Sequence, residues 1–244
     1  MRKELCIESY EGAKLAKEFG YDSVELNLAL NLGGLTPSIG MVRSITKDFD
    51  IDVICMVRSR PAGFLYSNEE YEAMLLELDI LLEEDIAGIA FGFLTHNYEI
   101  DIDRTKEFVN RIHDKNKIAV FHRAFDNTKD YKKAIDDLVE AKVDRVLTSG
   151  QEKNAIEGID KLIEISDYSD GRIEIIAGSG LNSVNIKEFV KNTSINYVHS
   201  SCKGYREDNT TSFNVSYKVF NNNKYQINDP KEVKEFARQL NEID

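Results

Sequence analysis

The chain has few cysteines and no long hydrophobic run. Its three cysteines are widely spaced and odd in number, so they do not form the framework of a disulfide-stabilised fold. No apolar stretch approaches the roughly 18 residues of a membrane-spanning helix, and the N-terminus lacks the apolar core of a signal peptide. We therefore expect a cytoplasmic protein that has no membrane partner.

Positive charge is also scarce. The 244 residues include 31 Lys and Arg against 43 Asp and Glu, which gives a formal net charge of −12. Nucleic acids and anionic membranes are bound through clustered lysines and arginines. The composition therefore argues against a nucleic-acid partner, although it leaves room for a local cationic pocket.

What the chain does have is a regular alternation of short apolar runs and helical patterns. Eight runs start about 20–35 residues apart, which is the spacing of βα units, and a helical pattern follows each of the first seven. The runs are Glu4–Ile7, Ser23–Asn27, Val53–Val57, Ala87–Phe93, Ile118–His122, Arg145–Thr148, Ile173–Ala177 and Asn196–His199. This pattern predicts an α/β fold, a (β/α)8 TIM-type barrel of parallel strands that forms a single domain over residues 1–244.

The C-terminal part of the chain departs from this rhythm. From Lys203 to Asn228 the composition shifts to Asn, Ser, Thr and Tyr, so we predict that 203–228 is irregular, either as a mobile loop or as a hairpin that turns at Asn221–Asn223. Asp229 and Pro230 then have the order of a helix cap and a first-turn proline. A helix over 229–243 is predicted to close the barrel.

A barrel of this type places its chemistry at the carboxyl ends of its strands, and barrel enzymes often bind phosphate after strands seven and eight. Here Gly178, Ser179 and Gly180 follow the seventh run, and His199 and Ser200 end the eighth. Glycine lets backbone N–H groups approach an anion, and the hydroxyls can donate further hydrogen bonds. The alternative is that Gly-Ser-Gly is only a tight turn.

Four more polar residues at strand ends are candidates for binding an anion. They are Arg58, Arg60, Arg123 and Ser149. Arginine binds carboxylates and phosphates with two parallel hydrogen bonds. The alternative in so acidic a chain is an ion pair with Glu25, Asp126 or Glu152.

Three residues are candidates for proton transfer: Glu25, His122 and Asp126. Alternation along the second run places Glu25 and Asn27 on the interior face of the barrel. His122 ends the fifth run, and imidazole is well suited to proton transfer near neutral pH. The alternative is a structural histidine that is bonded to Asp126 or to a backbone carbonyl.

The metal-ligating residues are sparse. Cys6, Cys55 and Cys202 are candidates for a soft ion such as Cu(I), to which Met56 could also bind. Only His199 and Cys202 are close in sequence, and a single mid-strand cysteine is more often a small buried hydrophobe.

Five segments, in this order, give the chain a resemblance to a known family. They are Gly33–Ser38, Phe121–Asp126, Val143–Gln151, Ala177–Gly180 and Val198–Ser201. Together they are similar to motifs of the CutC family of copper homeostasis proteins. The resemblance implies a (β/α)8-type barrel, a cytosolic protein that self-associates as a homodimer or larger homo-oligomer, and copper binding or copper tolerance.

The chain departs from the pattern of this family where copper would need sulfur. Asn27 replaces a cysteine on the second run, and the loop Arg58–Ser67 lacks the family's aspartate and cysteine. What remains is a set of anion-binding and proton-transfer groups. Two hypotheses follow. One is a copper-binding CutC-like protein, and the other is a TIM-barrel enzyme that acts by acid/base chemistry on a small anionic metabolite, with phosphorylated metabolites among the candidates. A silent scaffold or oligomeric binding protein is a third.

Overall fold

The computed structural model, which describes residues 1–218 and 223–243, contains a closed barrel of eight parallel strands. They lie in the order of the sequence, and β1 pairs with β8 to close the barrel. The strands are β1 Arg2–Ile7, β2 Ser23–Leu26, β3 Asp52–Met56, β4 Gly88–Phe91, β5 Ile118–Phe121, β6 Arg145–Thr148, β7 Glu174–Ala177 and β8 Tyr197–Ser200. The predicted barrel of parallel strands is confirmed.

Helices surround the barrel. They are α1 Tyr10–Glu18, α2 Ile39–Asp48, α3 Asn68–Leu82, α4 Ile102–Asp114, α5 Tyr131–Glu140, α6 Ile159–Ser169, α7 Ile186–Asn192 and α8 Pro230–Asn241. Most begin at a side-chain cap. At α3, for example, the Ser67 hydroxyl accepts from the N–H of Glu70, and the Glu70 carboxylate accepts from the N–H of Ser67. In the described part of the chain no helix is long and apolar enough to cross a bilayer.

The core has two layers, because alternate residues of each strand face opposite sides. The outer layer lies between strands and helices and includes Cys55 of β3. The inner layer fills the barrel with seven buried side chains, namely Ile54, Met56, Ala90, Val120, Leu147, Ile176 and Tyr197. Apolar packing therefore fills the interior below the carboxyl ends of the strands, and polar space for a ligand lies at that end.

The segment 203–228 is not irregular throughout, because a hairpin lies within it. Its strands are β9 Lys203–Glu207 and β10 Lys224–Asn228, and they pair antiparallel. Asn228 anchors the base of this hairpin, since its side-chain amide donates to the backbone carbonyls of Cys6 and Ser201 at 2.9 and 2.7 Å. Of the predicted turn, residues 221 and 222 lie outside the described residues.

Helix α7 begins at Ile186 and not directly after the Gly178–Gly180 turn. The N–H of Val184 donates to the Asn182 side chain, and the Asn185 side chain accepts from the N–H of Asn182. These local bonds hold the chain in a turn until Ile186. Gly178–Gly180 is therefore separated from the helix, and no helix N-terminus reinforces that turn.

Candidate functional site

A cavity of about 250 Å³ opens at the carboxyl end of the barrel. Nine predicted site residues line it: Cys6, Glu25, Arg58, His122, Arg123, Ser179, Gly180, His199 and Ser200. The structure adds nine others: Asn27, Leu30, Gly33, Met56, Phe64, Leu147, Ser201, Lys203 and Gln226. The volume suits a small metabolite rather than a polymer.

His122 is a buried hydrogen-bond donor in this cavity. Its Nδ1 accepts from the N–H of Ala124 at 3.1 Å, so the hydrogen of the neutral ring lies on Nε2. That Nε2 is buried and has no hydrogen-bond partner in the described part of the chain. Gly92 makes room for the ring, because a Cβ there would lie 2.5 Å from the Cε1 of His122.

The imidazole of His122 is neutral at physiological pH. Burial, and then the positive charges of Arg58 and Arg123, lower its pKa from 6.5 to about 3. The neutral ring therefore offers its Nε2–H to the cavity as an unused hydrogen-bond donor, and the acid/base role of His122 stays a prediction. The ring contacts no carboxylate of Asp126; its acceptor nitrogen is used by the backbone.

Arg58 is buried and is held by the backbone. Its guanidinium donates to the carbonyls of Leu32, Gly34 and Ala62 at 3.2, 2.9 and 2.6 Å. A Cβ on Gly33 would lie 3.0 Å from Nη1 of Arg58, which explains the glycine of that loop. Among the ion pairs of the described residues none includes Arg58, so its charge contributes to the potential of the cavity.

Arg123 is the more accessible guanidinium of the cavity. Its Nε donates to Asp126 at 2.7 Å and its Nη2 donates to Ser149 at 2.9 Å. Asp126 in turn accepts from the Thr148 hydroxyl at 2.5 Å and from the backbone N–H of Ser149. Asp126 and Ser149 do not line the cavity; they fix the orientation of Arg123, whose side chain is 40% exposed.

Besides Ser149, two predicted anion-binding residues, Arg60 and Gly178, do not line this cavity. Arg60 pairs with Glu70 at 2.5 Å and also donates to the carbonyl of Leu65. Gly178 has a packing role, because a Cβ there would lie 2.7 Å from Leu147 and 3.3 Å from the Cβ of His199. Neither residue lines the central cavity.

The hydroxyls at the ends of β7 and β8 are used locally. Ser179 donates to the carbonyl of Lys153 at 3.2 Å, and Ser200 donates to the carbonyl of Leu181 at 2.6 Å. Ser179 and Gly180 both have positive φ, at 79° and 75°, which makes this a tight turn. What Ser179 and Gly180 offer to the cavity is therefore their backbone.

A buried cluster of acidic and basic groups lies opposite His122. His199 Nδ1 is 2.9 Å from a Glu4 oxygen, and its Nε2 is 3.9 Å from Glu25. Glu25 accepts through Oε2 from Asn27 at 2.8 Å and from the Cys6 thiol at 3.4 Å. The predicted interior placement of Glu25 and Asn27 agrees with this arrangement.

Burial and the neighbouring groups shift the pKa values of His199 and Glu4 in opposite directions. Burial alone would lower the pKa of His199, but Glu25 and Glu4 outweigh it, so that the pKa is raised. Burial would raise the pKa of Glu4, but His199 and Ser23 outweigh it and lower it. The pKa of the Cys6 thiol is raised well above its usual value by burial and by Glu25. Cys6 is therefore a neutral thiol beside an ion pair.

The three cysteines have different surroundings. Cys6 lies with Glu25 and His199, and the ligand-type atoms of these three residues are within 4.8 Å of one another. Cys55 is buried in the outer core layer, and Cys202 lies 3.6 Å from the hydroxyl of Tyr21. Burial raises the pKa of Cys55 to about 12 and that of Cys202 to about 11. Neither lines the cavity.

The sequence-based prediction missed three polar residues of the site. Glu4 lies two residues before Cys6 on the same interior face of β1, so strand alternation was a sufficient signal for it. Lys203 and Gln226 line the cavity from β9 and β10. They were missed because the alternatives of a loop or a hairpin over 203–228 were left open, and a segment without assigned strands has no assigned face.

Together the fold and the site define a (β/α)8 barrel protein with a polar, mainly cationic cavity at its carboxyl end. The chain belongs to the CutC family, whose model matches residues 1–204. It is 39% identical over 213 residues to the family protein CutC of Treponema denticola, covering 87% of this chain and 86% of that protein. A similar relative in Aliivibrio fischeri is 36% identical over 203 residues, or 83% and 82% of the two chains.

A solved structure is also similar. It is described as a copper homeostasis protein CutC from Streptococcus agalactiae, with a TM-score of 0.77 and 28% identity. The likeness covers 82% of this chain and 98% of that one. Gln226, α8 and most of the β9–β10 hairpin lie beyond the part that the family model matches.

Proposed function

We propose that the cavity binds a small anionic metabolite and that the protein is an enzyme that acts on it by acid/base chemistry. The observation that carries this proposal is the Nε2–H of His122, a buried donor without a partner in the described residues. A buried donor that is left unsatisfied costs about 1–3 kcal/mol. An oxyanion oxygen is an acceptor that would relieve this cost, and the nearby guanidinium groups favour a negative charge.

The charges of the cavity support an anion rather than a cation. Arg58, Arg123 and Lys203 line it, against the single carboxylate of Glu25. The chain as a whole has a net charge of −12. A cationic pocket in an acidic protein concentrates field lines at the pocket and attracts small anions to it.

Glu25 and His199 are the proposed proton-transfer pair, in place of the predicted pair of Glu25 and His122. Glu4 orients the ring of His199 through Nδ1 and keeps Nε2 towards Glu25 and the cavity. Protonated His199 would donate a proton from Nε2, and the Glu25 carboxylate would accept one. Asp126, the third predicted catalytic residue, acts as a positioning residue for Arg123.

The test of anion binding is thermal unfolding in the presence of phosphate, sulfate, citrate and sugar phosphates. We expect at least one of these anions to raise the Tm in a saturable way, because binding to the folded state alone stabilises it. A chloride series at equal ionic strength controls for screening. No shift with any anion beyond the chloride control would contradict the proposal.

Copper binding is a second candidate, favoured by the cluster of Cys6, Glu25 and His199. The cluster offers one sulfur, one imidazole nitrogen and one carboxylate oxygen, whereas Cu(I) prefers sulfur ligands. The predicted ligands Cys55 and Cys202 are too remote to contribute. The fit to Cu(I) is therefore partial; the thioether of Met56, which lines the same cavity, is a further sulfur ligand to test.

Cu(I) binding, where it is measured, is expected to depend on Cys6 alone among the three cysteines. Competition with a chromogenic Cu(I) chelator should show Cys6→Ser losing retained copper, while Cys202→Ser and Cys55→Ala retain the wild-type value. Equal losses in all three variants would contradict the cluster as the site. Self-association and a cytoplasmic location stay predictions from the sequence and from the family resemblance.

A further inference from the structure

We propose that the ligand of the central cavity carries an apolar, preferably aromatic, group and that this group lies in a second cavity at the rim of the barrel, between Phe64 and Tyr98. This inference rests on the proposed function, because it names the substrate class of the same site. The ligand would then be an anionic monoester or carboxylate of an aromatic group, rather than a bare sugar phosphate.

The rim cavity adjoins the central one. It has a volume of about 410 Å³ and is formed by the loops that follow β3, β4 and β5. Phe64 lines both cavities, and its ring lies 4.9 Å from the ring of His122. A group packed against the rim side of Phe64 is therefore separated from the His122 ring, which carries the unpartnered Nε2–H, by the thickness of the Phe64 ring.

The chemistry of the rim cavity differs from that of the central cavity. Its lining combines Phe64, Leu65 and Tyr98 with the polar residues Thr95, His96 and Asn127. The cation on its edge, Arg60, is engaged by Glu70 and by backbone carbonyls. Two aromatic rings on a mixed lining favour an aromatic group, which can pack against the rings while the polar residues beside them remain hydrated.

Tyr98 is held in place by a strained backbone. Its φ is +57°, in the left-handed region that L-residues other than Gly, Asn and Asp seldom adopt. Hydrogen bonds fix this turn: the N–H of Tyr98 donates to Thr95, and the N–H of Lys129 donates to the carbonyl of Tyr98. The side chain is nevertheless 62% exposed. The turn therefore presents a large, exposed ring at the edge of the rim cavity, where a ligand can pack against it.

The combined space sets the size of the ligand. The central cavity accommodates one small anionic group between His122 and Arg123, and the rim cavity accommodates one ring. Aromatic pairs gain about 0.5–1.5 kcal/mol beyond simple burial. Affinity for an aromatic monoester is therefore expected to exceed affinity for a methyl monoester of the same charge.

The test is isothermal titration of the full chain with phenyl phosphate and with methyl phosphate. We expect phenyl phosphate to bind about three- to tenfold more tightly, the ratio that corresponds to one aromatic contact. Tyr98→Gly removes the ring, and glycine adopts positive φ without strain, so the turn is kept. In this variant the ratio should fall to near one, while the Kd for methyl phosphate stays at the wild-type value.

Lys142→Gly is the matched control. The φ of Lys142 is +60°, so a glycine at this position relieves similar strain. Lys142, however, lies at the amino-terminal end of the barrel, before β6. It should leave both affinities unchanged. Equal binding of the two monoesters to the wild type, or an aromatic preference that survives Tyr98→Gly, would overturn the rim-cavity proposal alone. If neither monoester binds, the proposed anion site fails together with it.

Discussion

Arg123→Met is expected to abolish most of the stabilisation that an anion gives to the wild-type protein. Arg123 is the accessible cation of the central cavity, and Asp126 and Ser149 hold it in one orientation before any ligand arrives. A charged hydrogen bond contributes about 1.5–3 kcal/mol. The affinity for the best anion should therefore fall by about 10- to 100-fold, measured by titration or by the ligand-dependent Tm.

Arg60→Met is the control for this experiment. Arg60 was an equal candidate in the sequence, but it is paired with Glu70 outside the central cavity. Its removal should leave phosphate binding within about twofold of the wild type, since surface pairs contribute little. If the two variants lose anion binding equally, the effect is a general one of net charge and not of the site.

Acid is expected to destabilise the protein through His122. In the unfolded chain this imidazole takes up a proton near pH 6.5, whereas in the folded chain its pKa is about 3. Between these values the unfolded state binds more protons, so stability falls as the pH falls. The loss attributable to His122 should be about 2.5 kcal/mol between pH 7 and pH 4.5.

This contribution can be isolated with His122→Asn. The Asn side-chain oxygen can accept from the N–H of Ala124 as Nδ1 does, but the residue has no titrating group. Urea unfolding of both proteins across this pH range should show a shallower pH dependence for the variant. Parallel curves would mean that His122 is not held neutral by its surroundings.

The fold was predictable because its signals are local and repeated. Each apolar run marks a buried strand, and the spacing of the runs leaves room for only one connecting helix. Alternation within β2 was enough to place Glu25 and Asn27 inside the barrel, and β8 delivered His199 to its mouth. These assignments depend only on strand periodicity and on the parallel order of the strands.

The roles of the arginines were not predictable in the same way. Arg58, Arg60 and Arg123 all follow strands, but only their loops decide whether they bind backbone carbonyls, a glutamate or a ligand. The role of His122 depends on a single backbone N–H, that of Ala124, which fixes its tautomer. Such contacts are set by tertiary packing and leave no periodic signal.

The prediction of copper ligands from the sequence is limited in the same way, because it also depends on tertiary packing. Three cysteines are scattered through the sequence, and the fold brings only Cys6 to the cavity, since Cys55 faces the outer layer and Cys202 packs near Tyr21. Their separation was decided by strand faces and by the hairpin base. The family resemblance predicts the barrel more directly than it predicts a ligand set for a metal.

The most direct test of the account is a crystal structure of the protein grown with phosphate at a saturating concentration. The account predicts one phosphate in the central cavity, with an oxygen about 3 Å from the Nε2 of His122 and another at the guanidinium of Arg123. A cavity without phosphate under these conditions, or a phosphate that contacts neither side chain, would contradict it.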